Sequence, residues 1–245
     1  VPFVSKAIGT PLAKVAARVM AGTSLAELRA EGSLPVHGYD PDLLQHVAVK
    51  EAVLPFDRFP GVDPALTPEM RSTGEVMGIA DDFGDAFARA QAGTGTLILP
   101  TDGTVFLSVA DRDKRAVILV ARRLVDLGLN LLATDGTARV LERWGVPVTR
   151  VGKVTEGDDA IVRGLREGGI DLVLNTPYGP DARGDGLLIR QTAVSNGVPC
   201  VTTVAGMSAA LLGVEALQRT GFAVRSLQDR HAEVLERLAS RAGRA

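Results

Sequence analysis

From about residue 104 the chain repeats one pattern, a short aliphatic run followed by a longer stretch with helical spacing. The runs Val105–Val109, Leu129–Ala133, Val146–Val151, Ile170–Asn175 and Val198–Thr203 predict five strands. Between and after them, helices are expected near 113–127, 137–144, 158–168, 186–197 and 206–219. Gly128, Gly145, Gly168 or Gly169, and Gly197 stand where a helix C-terminus calls for a left-handed residue. Strands that are apolar on both faces and alternate with helices imply a parallel sheet covered on both sides, an α/β doubly wound fold.

The first hundred residues have a different texture. Thr10-Pro11 reads as an N-cap with proline at the first helical position, and Leu12, Val15, Ala16, Val19 and Met20 follow at helical spacing up to Gly22. Ser24-Leu25-Ala26-Glu27 fits a capping box opening a short second helix. Residues 33–46 read as loop and Val47–Leu54 as a strand. Asp81 or Asp82 caps another helix carrying Phe83, Phe87 and Ala90 on one face. Gly93–Gly103, GTGTLILPTDG, marks a change of texture, so residues 1–100 and 101–245 are expected to be two domains. The end, 228–245, reads as a helix fraying into RAGRA.

Composition narrows the function. Lys+Arg 27 against Asp+Glu 29, net charge −2, offers no electrostatic footprint for nucleic acid or an anionic membrane. The apolar runs are too short to span a bilayer, no signal segment opens the chain, and a soluble cytoplasmic protein is expected. Cys200 stands alone, which excludes an internal disulfide or a Cys-based zinc site. His37, His46 and His231 are scattered, and no G-x-S-x-G or HExxH motif occurs, so no catalytic residue and no metal site is assigned. The first residue is Val1 rather than Met, and the chain reads as part of a longer polypeptide.

Ligands of open α/β sheets sit beyond the carboxyl ends of the strands. Those ends are Ser108, with Lys114 in the first turn of the next helix; Thr134-Asp135-Gly136-Thr137; the stretch leading to Lys153; Asn175-Thr176; and Thr202-Thr203. Hydroxyls and amides at a helix start, with two lysines near, suit a phosphorylated ligand.

One stretch, Leu54–Gly78, fits neither structural period: LPFDRFPGVDPALTPEMRSTGEVMG. Pro55, Pro60, Pro64 and Pro68 rule out a long helix or a central strand, while Phe56, Phe59, Leu66 and Met70 call for burial. It is expected to wrap against another domain and order a site there. This stretch resembles the end of the second ATP-grasp unit in the large subunit of carbamoyl-phosphate synthase, whose pattern is LPF-x-[KR]-FPGVDP-x-L-x-PEMRSTGEVMG. The opening VPFVSKAIGTPLAKVAARVMAG is similar to the same subunit just upstream, and the likeness continues to about residue 230. The A-T-x-G-T turn at 133–137 resembles that subunit's last, methylglyoxal-synthase-like allosteric domain, a Rossmann-type fold.

The resemblance implies a C-terminal regulatory part, with the tail of an ATP-grasp domain ahead of the allosteric one. It implies a nucleotide monophosphate effector such as UMP, contacted by Ser108, Lys114, Thr134, Thr137, Lys153 and Asn175. Pro177 departs from members that hold the nucleotide with a hydroxyl at that position. Glu51 and Thr202 match an ornithine site of some members, but Cys200 stands where those carry tyrosine. The parent enzyme would use ATP with Mg2+ or Mn2+, pair with a small glutaminase subunit and form a homo-oligomer. Its last metal motif, Glu-x-Asn, would precede Val1, so the chain alone is expected to be inactive and to bind no cofactor.

Two alternatives stay open. One is a free-standing lyase of the methylglyoxal synthase type, suggested by Glu156-Gly157-Asp158-Asp159 but lacking that family's Asp-Pro-Leu word, replaced here by Asn175-Thr176-Pro177-Tyr178. The other is a nucleotide-sensing binding module.

Overall fold

The computed structural model describes residues 1–35, 44–59, 61–66, 68–95, 98–152, 159–177 and 184–242. Its centre is a five-stranded, all-parallel sheet of β3 (Thr104–Ser108), β4 (Asn130–Thr134), β5 (Thr149–Val151), β6 (Leu172–Asn175) and β7 (Cys200–Val201) in the order β5-β4-β3-β6-β7. The intervening helices are α5 (Val117–Asp126), α6 (Asp135–Arg143), α7 (Ala160–Arg166) and α8 (Asp185–Ser195), followed by α9 (Val204–Thr220). The expected α/β doubly wound fold is what forms.

Alternation along each strand builds two cores. Val105 and Leu107 on β3, Leu131 and Ala133 on β4, and Leu172 and Leu174 on β6 face one way. They pack against α5, α6 and α9 through residues such as Leu124, Leu141 and Met207. Phe106 and Val173 face the other way, onto Ile161 and Leu165 of α7 and Ile189 and Ala193 of α8. This two-sided burial explains the near-continuous apolar strands.

The edges are shorter than their apolar runs. Only 149–151 of the expected 146–151 and 200–201 of 198–203 join the ladder. Pro147 and Pro199 have no N–H to give, although the Pro199 carbonyl still accepts from Val173 N–H at 2.8 Å. Gly168 rather than Gly169 takes the left-handed conformation after α7, at φ +74°. Lys114 lies in the turn before α5, not in its first helical turn.

Ahead of the sheet come α1 (Pro2–Ile8), α2 (Leu12–Met20), α3 (Leu25–Ala30), an antiparallel hairpin β1 (Val47–Val53) and β2 (Gly74–Ala80), and α4 (Phe83–Gly93). Helix α1 was not expected, because seven residues give too little periodicity to read. The capping box at Ser24 and Glu27 forms, and Asp82 caps α4 by accepting from Asp85 N–H. Thr10 is not the cap of α2. Pro11 occupies that position, and Ser5 Oγ accepts from Leu12 N–H at 3.2 Å instead. His46 and His231 meet at the end of α1, their Nε2 atoms donating to Ala7 O at 2.8 Å and Lys6 O at 2.7 Å. His37 lies outside the described residues. The last helix, α10 (Leu227–Ala242), follows an exposed link.

The irregular stretch is the β1–β2 connection, and its final residues, Gly74–Gly78, are strand after all. Of the large apolar side chains expected to bury, Phe56 is half-buried, while Phe59, Leu66 and Met70 are 57%, 65% and 88% exposed. What holds it to the sheet is polar. Asp63 and the Gly61 carbonyl are bonded to Arg190 and Gln191 of α8.

The hairpin and α4 approach through small residues. A Cβ on Gly78 would lie 1.9 Å from Ala86 O and 2.5 Å from Ala90 N, both backbone atoms that cannot swing aside. On the same strand a Cβ on Gly74 would meet nothing nearer than 3.9 Å. Gly78→Ala should therefore cost about 1–3 kcal/mol through overpacking. Gly74→Ala should not destabilise the chain, and urea unfolding of the two variants side by side checks the contrast.

Candidate functional site

In the order β5-β4-β3-β6-β7 the chain winds outward from β3 in one direction and from β6 in the other, so the crevice between their carboxyl ends is the topological switch point. Ser108 and Asn175 end these two strands as register partners. Past this point the backbone of β3 has no strand to pair with, and side chains take over. Asn175 Nδ2 donates to Ser108 O at 2.8 Å, Thr137 Oγ1 accepts from Val109 N–H at 3.3 Å, and Thr176 Oγ1 accepts from Ala110 N–H at 2.8 Å. Thr134 Oγ donates to Ser108 Oγ at 3.3 Å, joining the end of β4 to that of β3. Thr137, Asn175 and Thr176 are buried, while Ser108 and Thr134 are half-buried.

The floor opens onto the first turn of α6. Its N-cap is Thr134, whose side chain makes no capping bond, so the leading N–H groups are not taken by it. Over Gly136 lies Lys114: a Cβ on Gly136 would be 2.8 Å from its Nζ. A larger residue there would make the ammonium shift. Lys114 Nζ also pairs with Asp111 at 2.5 Å, and that hydrogen bond holds the Asp111 carboxyl below its ordinary range. Asp111 is 92% exposed and Lys114 only 18%, so the cation is the half of this pair that belongs to the crevice.

Five of the six residues expected at the effector site, Ser108, Lys114, Thr134, Thr137 and Asn175, thus come together. Lys153 and Glu156-Gly157-Asp158 lie outside the described residues, as does Tyr178. Glu51 and Thr202 sit on different elements, Glu51 in β1 and Thr202 just after β7. Burial raises the Glu51 carboxyl, partly offset by its hydrogen bond to Gln91.

Sequence reading missed the partner that fixes Asn175. Arg190, 1% exposed, donates from Nη1 to Asn175 Oδ1 at 2.8 Å and from Nε and Nη2 to the two Asp63 oxygens at 2.9 and 2.7 Å. Burial works to raise the Asp63 carboxyl. The Arg190 bonds and the Ala65 N–H outweigh it and leave the carboxyl below its ordinary value. An arginine on an apolar helix face was the available signal, because such a charge needs a buried carboxylate from elsewhere.

Residues 116–202 match the MGS-like domain family. The carbamoyl phosphate synthase large chain of Streptomyces griseus is 52% identical over 248 residues, covering 96% of this chain and 22% of that protein. The same-named proteins of Mycobacterium sp. strain JLS and Mycobacterium tuberculosis strain CDC 1551 are 51% and 50% identical, over 96% and 94% of this chain. The chain spans about a fifth, 22%, of the length of these relatives. A solved structure, methylglyoxal synthase from Elizabethkingia anophelis NUHP1, is 24% identical with a TM-score of 0.38, covering 46% of this chain and 79% of that one.

Cys200 borders the Asp63–Arg190 pair from β7, and burial pushes its thiol up to about 12. Against an ordinary thiol near 8.5, its thiolate fraction at pH 8 falls by roughly a thousandfold. Labelling by a thiol reagent at that pH should be slow in the folded chain and prompt in urea. Above about pH 8.5 an unfolded Cys loses its proton while the folded one keeps it, so this group lowers stability as the pH climbs toward 12.

Proposed function

The chain belongs to the carbamoyl phosphate synthase large-chain family, and we propose that it supplies regulation there by binding a nucleoside monophosphate such as UMP in the β3–β6 crevice. The observation that carries the reading is the convergence of Ser108, Thr134, Thr137 and Asn175 with Lys114 at one switch point. The phosphate would sit on the Gly136-Thr137 start of α6, where backbone N–H groups and the helix dipole favour an anion. Lys114 adds a partly desolvated positive charge, and Lys153, outside the described residues, is the second cation this reading calls for. Hydroxyls and the Asn175 amide hold the remaining polar groups of the nucleotide.

The parent enzyme would make carbamoyl phosphate from bicarbonate, glutamine and two ATP, for pyrimidine and arginine synthesis in the cytoplasm. ATP with Mg2+ or Mn2+, the small glutaminase subunit and a homo-oligomeric assembly belong to that whole. In this division residues 1–100 are the tail of an ATP-grasp domain and 101–245 the allosteric domain. Among the described residues no helix is long and apolar enough to cross a membrane. By itself the chain is expected to turn over no ATP above a heat-killed control.

A lyase of the methylglyoxal synthase type is the weaker reading. That family's second aspartate, in its Asp-Pro-Leu word, has no counterpart here, because Asn175-Thr176-Pro177-Tyr178 carries no carboxylate and the Asn175 amide oxygen already accepts from Arg190. The Glu51–Thr202 ornithine site is also weak. Glu51 is already bonded to Gln91, and the half-buried thiol of Cys200 is a poor donor on a short side chain.

Calorimetry with UMP tests the proposal. Lys114→Met removes one charge-assisted contact, about 1.5–3 kcal/mol, and should weaken UMP binding roughly tenfold or more. The thermal midpoint of the ligand-free chain should barely move, because among the described residues the cation's ion-pair partner is the exposed Asp111. Equal affinity in variant and parent would move the site elsewhere.

A further inference from the structure

The β1–β2 connection reaches the crevice through one buried cation. Arg190 divides its donors: Nε and Nη2 grip both oxygens of Asp63, and Nη1 holds Asn175 Oδ1. Asn175 in turn spends one Nδ2 hydrogen on Ser108 O, at 2.8 Å. An amide nitrogen carries two hydrogens, and among the described residues Ser108 O is the one acceptor that Nδ2 has, so the second can meet a ligand. The carboxamide can do this in one orientation only. Flipped, its NH2 would face the guanidinium and its oxygen the Ser108 carbonyl, two repulsive contacts in a dry site. Gly186, one turn before Arg190, leaves the space this needs: a Cβ there would lie 2.9 Å from Nη1 and 3.6 Å from Asn175 Oδ1. On the far side Asp63 Oδ1 also accepts from Ala65 N–H at 2.9 Å, and Gln191 Nε2 donates to Gly61 O at 2.6 Å. The loop residues 61–65 and the crevice therefore share one guanidinium.

We propose that Arg190 is a positioning residue that couples Asp63, and with it the Gly61–Ala65 loop, to nucleotide binding at Asn175. The inference rests on the nucleotide reading above and adds to it the route by which occupancy is felt outside the crevice. A ligand that recruits the second Nδ2 hydrogen favours the orientation Arg190 imposes, so it favours the Arg190–Asp63 pair. Coupling is reciprocal: an intact Asp63 must then tighten nucleotide binding by the same factor. Asp63, 35% exposed at its side chain, is the end of the relay that a neighbouring surface can reach.

The test uses the 245-residue chain, UMP and three variants that spare the Asn175 side chain: Asp63→Asn, Arg190→Met and Gly186→Ala. Each should weaken UMP binding by about fivefold or more, the low end of ordinary coupling between sites. In nitrogen-15 spectra without UMP, each should also shift the side-chain NH2 pair of Asn175, which a loss of general stability would leave in place. Asp63→Asn leaves Arg190 buried without its anion, and Gly186→Ala keeps both charges, so a misfolded result in one is answered by the other. UMP affinity within twofold of the parent in folded Asp63→Asn and Gly186→Ala would overturn the coupling. So would an unmoved Asn175 NH2 pair in all three. If the parent chain binds no UMP, the nucleotide reading fails, while the ligand-free spectra still decide whether Arg190 orients Asn175 from Asp63.

Discussion

The hydrogen bonds that finish β3 are the constraint on which the site depends. A central parallel strand satisfies its backbone from both neighbours, but β3 outruns them at Ser108 while still inside the protein. Buried N–H groups without partners cost about 1–3 kcal/mol each, so side chains must be placed to receive those of Val109 and Ala110. Thr137 comes from the start of α6 and Thr176 from the end of β6, one from each side of the switch point. The same hydroxyls and amides that close the strand therefore line the crevice, and the polarity of the site is a by-product of sheet topology.

The Asp63–Arg190 pair solves a second burial problem. A guanidinium at 1% exposure would be prohibitively costly alone, and a fully dry ion pair usually gives back little of its desolvation cost. Here the carboxylate keeps partial contact with water, its side chain 35% exposed, while both oxygens receive parallel N–H bonds. This arrangement accounts for why the connection from β1 to β2 can hold its course with Phe59, Leu66 and Met70 facing outward. The loop is anchored by charge and backbone at 61–65, with Phe56 half-buried just ahead of it.

How much could be read from the sequence follows the same division. The five strands and the turn at Thr134-Asp135-Gly136-Thr137 were legible because aliphatic runs and helix breaks are local signals, and Ser108 and Asn175 followed as strand ends. The edge strands came out too long because apolar content does not register that Pro147 and Pro199 cannot donate. The irregular connection was misjudged for a related reason. Proline content excluded regular structure correctly, but apolar residues do not reveal whether a surface is there to receive them. Arg190 could be flagged as a charge on an apolar helix face, but not paired, since its partner Asp63 is 127 positions away in sequence and no periodicity links them.

In the proposed reading, Lys114 is what readies the crevice for an anion. With the lysine largely enclosed over Gly136, a bare ammonium would be poorly solvated, and Asp111 supplies it with a counter-charge. Because Asp111 stands almost wholly in water, that pairing is weakened by solvent and salt and holds the lysine only loosely. Under the proposal, a phosphate approaching the start of α6 would bring two charges and meet backbone N–H groups as well as the ammonium. The exchange would trade a screened, single-charge contact for a less exposed, multivalent one. The lysine need not travel to make it: Nζ already lies over the turn where the anion would rest, so little side-chain entropy is lost when the ligand replaces the carboxylate.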